Sequence, residues 1–215
     1  MLEEFVSCIG VSTAYSIVEL CKALDKVPFN APNRLQSSTV EQGLSCSIIL
    51  LSVAMTESAL NRTRYIIGEK HNRALDFFRM QFDSKATADD LEETYVLRDV
   101  ITHNHMWKVS VPNSSNLNDP RIKHILLPGY GDKKFRKVIN MNTLKTKRLS
   151  LNIVPTIVNR KDVLVVLDVV WRICVILQSE DSRYFPLENY PFKWADSKYL
   201  KFPGLVQFLK KRWSV

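Results

Sequence analysis

The stretch TVEQGLSCSIILLSVAMTESALNRTRYIIG, residues 39–68, decides how this 215-residue chain folds. Its centre, residues 48–55, is almost wholly apolar, which is typical of a helix that is buried on most sides. Thr39, followed three residues later by Gln42, has the spacing of a capping box, in which two side chains satisfy the free amides of a helix start. The pattern predicts one long helix that begins at Thr39 and runs towards Gly68, and we expect it to be the central helix of a bundle.

Apolar residues at helical spacing predict further helices on both sides of this central segment. The predicted helices span residues 2–26, 72–82, 88–108, 161–179 and 203–213. The helix at 88–108 carries four acidic residues in its first turns, where the helix dipole favours negative charge, and the helix at 161–179 is apolar on most sides. The expected fold class is mainly all-α, a helical bundle formed by a single domain over residues 1–215.

The composition fits a folded chain and excludes several classes of protein. Hydrophobic residues make up 46% and charged residues 24%, with 6 Gly and 9 Pro, so disordered, collagen-like and low-complexity chains are excluded. The cysteines at positions 8, 21, 46 and 174 form no C-x-x-C and have no zinc spacing with histidine. We therefore expect reduced, mostly buried thiols and no metal site.

The N-terminus and the longest apolar run argue against secretion and against a membrane. Residues 1–4, MLEE, are acidic where a signal peptide needs positive charge. No run reaches 18 uninterrupted apolar residues, and the closest, residues 163–177, contains Asp168 and Arg172. The expected location is the cytoplasm, without a membrane partner.

The net charge of +8 and the isoelectric point near 9.3 come from one segment. Residues 1–108 hold 11 Lys and Arg against 14 Asp and Glu (−3), residues 109–160 hold 10 against 2 (+8), and residues 161–215 hold 9 against 6 (+3). Turn clusters at 112–116 and 128–132 separate short apolar runs, which predicts a basic insert at 109–160 with a small β-hairpin, before the last core helix. Residues 180–215 form an aromatic and basic C-terminal tail.

A basic insert indicates an anionic partner, because lysine and arginine neutralise phosphates with little sequence information. Tyr130 and Phe135 lie beside its lysines and either stack on bases or pack locally. A solvated surface loop explains the insert equally well, and DNA binding through residues 210–213 is a weaker alternative without a helix-turn-helix or zinc finger. The candidate RNA-binding residues are Lys133, Lys134, Arg136, Lys137, Lys145, Lys147 and Arg148.

The segment LRDVITHNHMW, residues 97–107, is the one polar cluster with an evident chemical use. It places Arg98, Asp99, His103, Asn104 and His105 within eight residues of the helix predicted at 88–108. Arginine is a permanently charged, forked donor suited to a phosphate, and histidine exchanges a proton near neutral pH. Because RNA carries its own nucleophile, the 2′-hydroxyl, such groups suffice for cleavage to a 2′,3′-cyclic phosphate without a metal or a cofactor.

A structural role explains the same pattern. Five residues at about 100° each leave Arg98 and His103 about 140° apart on an ideal helix, so Arg98 would have to reach round the helix. In this alternative Arg98 pairs with Glu93 or Glu57, and His103 is a surface histidine.

Residues 97–107 resemble the core motif of the HEPN family, in which Arg followed by Asp, Asn or His precedes a His by a few residues. The motif reads Arg98-Asp99-x-x-x-His103 in this chain. Residues 55–61, MTESALN, are similar to the HEPN helix that packs against the motif helix and supplies a polar residue, here Glu57. The resemblance covers residues 41–108 and, more loosely, 161–179, and the insert is similar to those of HEPN proteins in bacterial abortive-infection systems.

The resemblance implies a HEPN-like bundle and a homodimer whose two motif helices form one composite ribonuclease site. In that site Arg98 binds phosphate and neutralises transition-state charge, Asp99 orients Arg98 or His103, and His103 transfers protons. The implied activity is that of a metal-independent endoribonuclease, a toxin or antiviral defence effector with a possible antitoxin or defence-system partner. The alternative is a non-catalytic HEPN-like module that binds RNA, a nucleotide or a partner protein. The lesser site candidates are Asn104, His105 and Glu57.

Overall fold

A computed structural model describes residues 9–70, 73–103, 107–113, 116–129, 131, 133–180, 190–195 and 198–213 of the chain. This part of the protein is mainly helical, as the sequence predicts. Its helices are α1 (Gly10–Asp25), α2 (Thr39–Ile66), α3 (Ala74–Gln81), α4 (Lys85–Thr102), α5 (Lys133–Val138), α6 (Arg160–Gln178) and α7 (Phe202–Arg212). Its strands form three antiparallel pairs: β1 (Trp107–Ser110) with β2 (Lys123–Leu126), β3 (Ile139–Asn140) with β4 (Lys145–Thr146), and β5 (Phe192–Ala195) with β6 (Lys198–Leu200).

Helix α2 is the central helix of the bundle, as expected, and it packs against α1, α3, α4 and α6. Ile48, Ile49 and Leu60 on α2 are fully buried, because the apolar centre of the helix faces α1 and α6. The cap of α2 differs by one residue from the predicted one. The side chain of Ser38, whose backbone is extended, accepts the hydrogen bond from the Glu41 amide, while Thr39 is already helical.

Helix α2 is also the one described helix with the length and apolar composition of a membrane span. The sequence analysis pointed to residues 163–177 as the closest such run, and those residues lie in α6. Of the most apolar window of α2, 44% is buried inside the fold. Core helices of soluble proteins and true spans share this composition, so the feature by itself assigns α2 to neither class.

A buried ion pair joins the start of α2 to the start of α6. The Arg160 guanidinium donates to both carboxylate oxygens of Glu41, with Nε 3.0 Å from Oε1, and the two residues are 5% and 1% exposed. Arg160 also donates to the carbonyl oxygen of Leu24, in the last turn of α1, and to that of Val27, two residues after the helix ends. Trp213, at the end of α7, lies 5.6 Å from the same guanidinium. One arginine therefore ties α1, α2, α6 and the C-terminus together.

The basic insert packs against α4 instead of extending away from it. Phe135, Val138 and Ile153 of the insert form a second, smaller core with Val96 and Val100 of α4. The expected β-hairpin is present as β1 and β2, and β3 with β4 forms another pair. Phe135 is 6% exposed, so it packs locally and does not offer its ring to a base. Tyr130 lies outside the described residues.

Helix α4 differs from the predicted helix at both ends. It begins at Lys85, so the four acidic residues at 89–93 lie beyond its first turn. Asp89, Asp90 and Glu92 pair with cations instead, and Glu93 accepts hydrogen bonds from backbone amides of the insert. It ends at Thr102, because Trp107 already pairs with Leu126 in the β1–β2 hairpin. A strand partner 19 residues away therefore ends the helix earlier than the local pattern predicts.

The cysteines that the structure describes are buried or partly buried, in line with expectation. Burial raises the pKa of the Cys46 thiol to about 12, and nearby Asp162 adds to this shift. Burial likewise raises the pKa of Cys21 and of Cys174. These thiols are protonated at neutral pH and therefore unreactive. Cys8 lies outside the described residues.

The Glu41–Arg160 pair generates a prediction about stability. Arg160→Met leaves the Glu41 carboxylate buried without a partner, so we expect the free energy of unfolding to fall by about 3–5 kcal/mol. The double variant Glu41→Leu with Arg160→Met should recover part of this loss, because no unpaired charge remains. Urea denaturation followed by circular dichroism measures both values.

Lys22→Ala is the matched control, because it breaks an exposed ion pair with Glu19 that is worth less than about 1 kcal/mol. Equal losses for Lys22→Ala and Arg160→Met would contradict a central role for the buried pair.

Candidate functional site

The structure brings Arg98 and Asp99 of α4 together with Glu57 of α2. Arg98 donates from Nη1 to Glu57 Oε2 at 3.0 Å and from Nε to Asp99 Oδ1 at 2.9 Å. Its guanidinium carbon lies 5.1 Å from the centre of the Tyr95 ring. Of the two carboxylates weighed as structural partners of Arg98, Glu57 is the one that binds it. Glu93 instead accepts hydrogen bonds from the amides of residues 148 and 149 in the insert.

Arg98 with its partners Glu57 and Asp99 forms the Arg98 clamp. This clamp is half-exposed, and its guanidinium keeps N–H donors for a ligand. The side chains of Arg98, Glu57 and Asp99 are 31%, 41% and 47% exposed. Each of the three guanidinium nitrogens has one N–H engaged by a carboxylate. The third of these nitrogens, Nη2, lies 2.9 Å from Asp99 Oδ1. A guanidinium has five N–H groups, so two are not engaged by any described residue and can donate to a phosphate. Both carboxylates hold the side chain in place, which lowers the entropic cost of binding.

Burial raises the pKa of the Tyr95 hydroxyl beneath this clamp. The Glu57 carboxylate adds to the shift, and the Arg98 guanidinium opposes it. The phenol therefore stays protonated at physiological pH, and Tyr95 serves as an apolar floor for the arginine.

His103 lies at the C-terminal cap of α4 and not within the helix. Its backbone amide donates to the carbonyl oxygen of Asp99 at 2.9 Å, and its residue is exposed. The Thr102 hydroxyl donates to the carbonyl oxygens of Arg98 and Asp99, which closes the same turn. The expectation that all five polar residues share one helix is therefore wrong, since α4 ends at Thr102. Asn104 and His105 lie outside the described residues.

A cleft of about 660 Å³ opens beside Arg98, between α2, α3 and α4. Four arginines line it, Arg64, Arg73, Arg79 and Arg98. Its lining also includes the carboxylates of Glu57, Asp76 and Glu92. The sequence analysis missed three of these arginines as site residues. A signal was present, because residues 1–108 are net acidic and contain six arginines, four of which meet in this cleft.

The wall of the cleft touches the basic insert. Glu92 accepts a hydrogen bond from Arg79 Nη2 at 2.5 Å, and the same carboxylate oxygen lies 3.5 Å from Lys137 Nζ on α5. Arg79 also donates to Asp89 at 3.3 Å. Positive charge therefore continues from the cleft onto the insert.

The predicted RNA-binding residues of the insert serve two different roles in the structure. Arg148 pairs with Asp90 and so helps to hold the insert on the bundle, whereas Lys147 donates to the carbonyl oxygen of Lys137 at 2.6 Å, a contact within the insert. Arg136 donates to the carbonyl oxygen of Gly131. Lys133 and Lys145 are exposed, and the side chain of Lys134 lies outside the described part of the chain.

Two of the three tail cations considered for DNA binding contact the bundle, and the third, Lys211, is exposed. Lys210 pairs with Asp168, and Arg212 pairs with Asp25. The buried Trp213 also donates from its indole nitrogen to Asp25 at 3.0 Å. These contacts dock α7 on the core.

Comparisons with known proteins gave no match: no protein-family profile, no curated protein and no solved structure matches this chain. Among the residues that the structure describes, no group of three or more His, Cys, Asp or Glu side chains is placed to hold a metal ion.

The half-exposed Arg98 clamp predicts a small effect on stability. Arg98→Ala should lower the free energy of unfolding by less than about 1 kcal/mol, because ion pairs open to water contribute little. Urea denaturation measures this value, with Arg160→Met as the reference for a buried arginine. A loss as large as that of Arg160→Met would show that Arg98 is chiefly structural.

Proposed function

We propose that this chain is a HEPN-like helical bundle that cleaves RNA without a metal, by attack of the RNA 2′-hydroxyl on the adjacent phosphate. One observation carries the proposal. An arginine held by two carboxylates lies at the edge of an arginine-lined cleft, and an exposed histidine follows it at the cap of the same helix. These are the groups that such a reaction needs, and no cofactor enters the scheme.

The chemistry assigns a role to each group. A histidine takes the proton from the 2′-hydroxyl, whose oxygen then attacks the phosphorus while the bond to the 5′-oxygen breaks. A second proton donor protonates the leaving oxygen, which gives a 2′,3′-cyclic phosphate and a free 5′-hydroxyl. Arg98 neutralises the charge that builds up on the phosphate oxygens, and Asp99 and Glu57 position Arg98.

One chain by itself does not bring together the base, the acid and the arginine that the reaction needs. Arg98 is held towards Glu57 on α2, whereas His103 stands at the end of α4. A homodimer resolves this, because a two-fold axis brings a second Arg98 and a second His103 to the same site. One histidine then acts as the base and the other as the acid.

The exposed face of α2 supports such a dimer. No Lys, Arg, Asp or Glu occurs between Gln42 and Thr56, although Gly43, Ser47 and Ala54 are exposed along one side of the helix. Val40 on the same side is 59% exposed. Small residues on a helix face allow a second helix to approach closely, and Glu57, which binds Arg98, follows Ala54 on this face. A dimer formed through this face would carry both Arg98 clamps near its interface.

In this proposal the enzyme is a cytoplasmic toxin or antiviral defence effector, as the HEPN resemblance implies, with an antitoxin or defence-system protein as a possible partner. The competing function is a non-catalytic module that binds RNA, a nucleotide or a protein. One observation favours it, since Glu57 and Asp99 already neutralise Arg98, as a structural ion pair would.

Cleavage of a labelled single-stranded RNA in EDTA tests the proposal. Arg98→Ala and His103→Ala should each lower the rate by about 10²–10⁴-fold, the usual contribution of a group that transfers protons or stabilises charge. The product should carry a 2′,3′-cyclic phosphate, which mass spectrometry identifies. Both variants should keep the circular dichroism spectrum of the parent protein.

Arg121→Ala is the control, because Arg121 is an exposed arginine paired with Asp119 on the loop before β2. It should cleave at the parent rate. Equal cleavage by the parent, Arg98→Ala and His103→Ala would overturn the catalytic assignment. Salt-sensitive binding of RNA without any product would establish the non-catalytic alternative.

The dimer generates a separate prediction. Ala54→Glu places a charge in the centre of the uncharged α2 face, so it should give a monomer and abolish cleavage. Light scattering after size-exclusion chromatography measures the mass. Val175→Glu is the control, because Val175 is 47% exposed on α6, a helix that does not line the arginine cleft, and it should change neither property. A parent protein that is monomeric and active would refute the composite site.

A further inference from the structure

We propose that the arginine-lined cleft between α2, α3 and α4 holds the phosphates of the RNA strand beside the cut, with Arg73 as its principal phosphate contact. This inference rests on the proposed function, since it extends the path of the substrate beyond Arg98. It assigns binding roles to residues outside the Arg98–His103 motif.

Arg73 is the cation of the cleft that is best placed for an incoming anion. It occupies the N-cap position of α3 with an extended backbone, and its residue is exposed. Within the described residues its guanidinium has no hydrogen bond or ion pair, whereas Arg79 and Arg98 are each held by carboxylates. A phosphate at Arg73 therefore displaces no existing partner among them.

The first turn of α3 adds to the positive potential at the same place. Ala74, Leu75 and Asp76 line the cleft next to Arg73, and no side chain caps this helix start. Free amides at a helix start carry partial positive charge and donate to phosphate oxygens. Asp76 opposes this attraction, so Arg73 and the backbone must provide the net binding.

Arg79 on α3 and Arg98 on α4 also line the cleft, and carboxylates hold both of them in place. Glu92 holds Arg79 at 2.5 Å, and Glu57 holds Arg98 at 3.0 Å, so both guanidinium groups are positioned before any ligand arrives. Prepositioned donors lose little entropy when they bind. Arg73 and the two fixed arginines can therefore engage successive phosphates of one strand.

The surroundings of the cleft, and not its volume, favour a strand over a small ligand. Its volume of about 660 Å³ lies within the range of pockets that take a nucleotide-sized group. Tyr95, the one aromatic residue among the described residues that line the cleft, is 5% exposed and offers little ring surface to a base. Lys137 of α5 reaches the Glu92 wall at 3.5 Å, which continues the basic track onto the insert. Recognition is thus expected to depend on phosphates and not on bases.

Binding to a cleavage-deficient protein tests the inference without dependence on catalysis. In the His103→Ala background, a fluorescein-labelled 12-nucleotide single-stranded RNA is titrated at several salt concentrations and followed by anisotropy. Arg73→Ala should raise the Kd about 5–10-fold. It should also lower the slope of log affinity against log salt by about 0.7, the value for the loss of one phosphate contact on a single strand.

Lys85→Ala is the matched control, because Lys85 is an exposed cation at the start of α4 that does not line the cleft. It should leave the Kd and the salt slope unchanged. If Arg73→Ala binds like its parent, or no more weakly than Lys85→Ala, the inference is overturned. Adenosine monophosphate that binds in an Arg73-dependent manner, while the RNA does not, would also overturn it in favour of a nucleotide pocket.

These outcomes separate the two proposals. Arg73-dependent RNA binding by a parent protein that never cleaves RNA would refute the proposed ribonuclease and leave the cleft as the binding site of a non-catalytic module. Cleavage that depends on Arg98 and His103, together with RNA binding that is insensitive to Arg73, would refute the cleft alone.

Discussion

The buried contact between Glu41 and Arg160 fixes the frame on which the candidate site is built. Charges inside a protein are tolerated only when their partners are held in good geometry, and here the guanidinium has a carboxylate, two carbonyl oxygens and two aromatic rings around it. Because the pair joins the first turns of α2 and α6, it sets the position of α2 along the bundle. Glu57 lies 16 residues further on, about 24 Å along a straight helix, and there it meets Arg98.

Helix α4 connects the arginine-lined cleft of the proposed mechanism to the basic insert. Glu92 and Arg98 line the cleft, and Val96 and Val100 pack against the insert. Its acidic residues, expected to complement a helix dipole, instead bind Arg79, Arg148 and Arg172 and so attach α3, the insert and α6. A shift of α4 would move the arginine clamp and the insert together.

These contacts change the interpretation of how charge is distributed along the chain. The whole net charge of +8 is carried by residues 109–160, yet Arg148 and Lys137 of that segment hold the insert on the bundle, and Lys147 makes a contact within the insert. The four arginines of the cleft lie in the net acidic half of the chain, where neighbouring carboxylates hold Arg79 and Arg98 in place. Carboxylates that position arginines lower the net charge without removing the donors that a phosphate needs.

The sequence by itself determined the mainly helical class, the long central helix and the adjacency of Arg98 and Asp99, because each depends on spacing within a few turns. It also indicated a basic insert with a hairpin, since turn residues and charge runs are local signals. The tertiary structure decided the end of α4, which the β1–β2 pairing imposes, and the choice of Glu57, 41 residues away, over Glu93 as the partner of Arg98. It also decided the burial of Phe135 and the meeting of four arginines from three helices in one cleft. These features arise from contacts between residues far apart in the chain, and helical periodicity carries no information about which distant side chains will face each other.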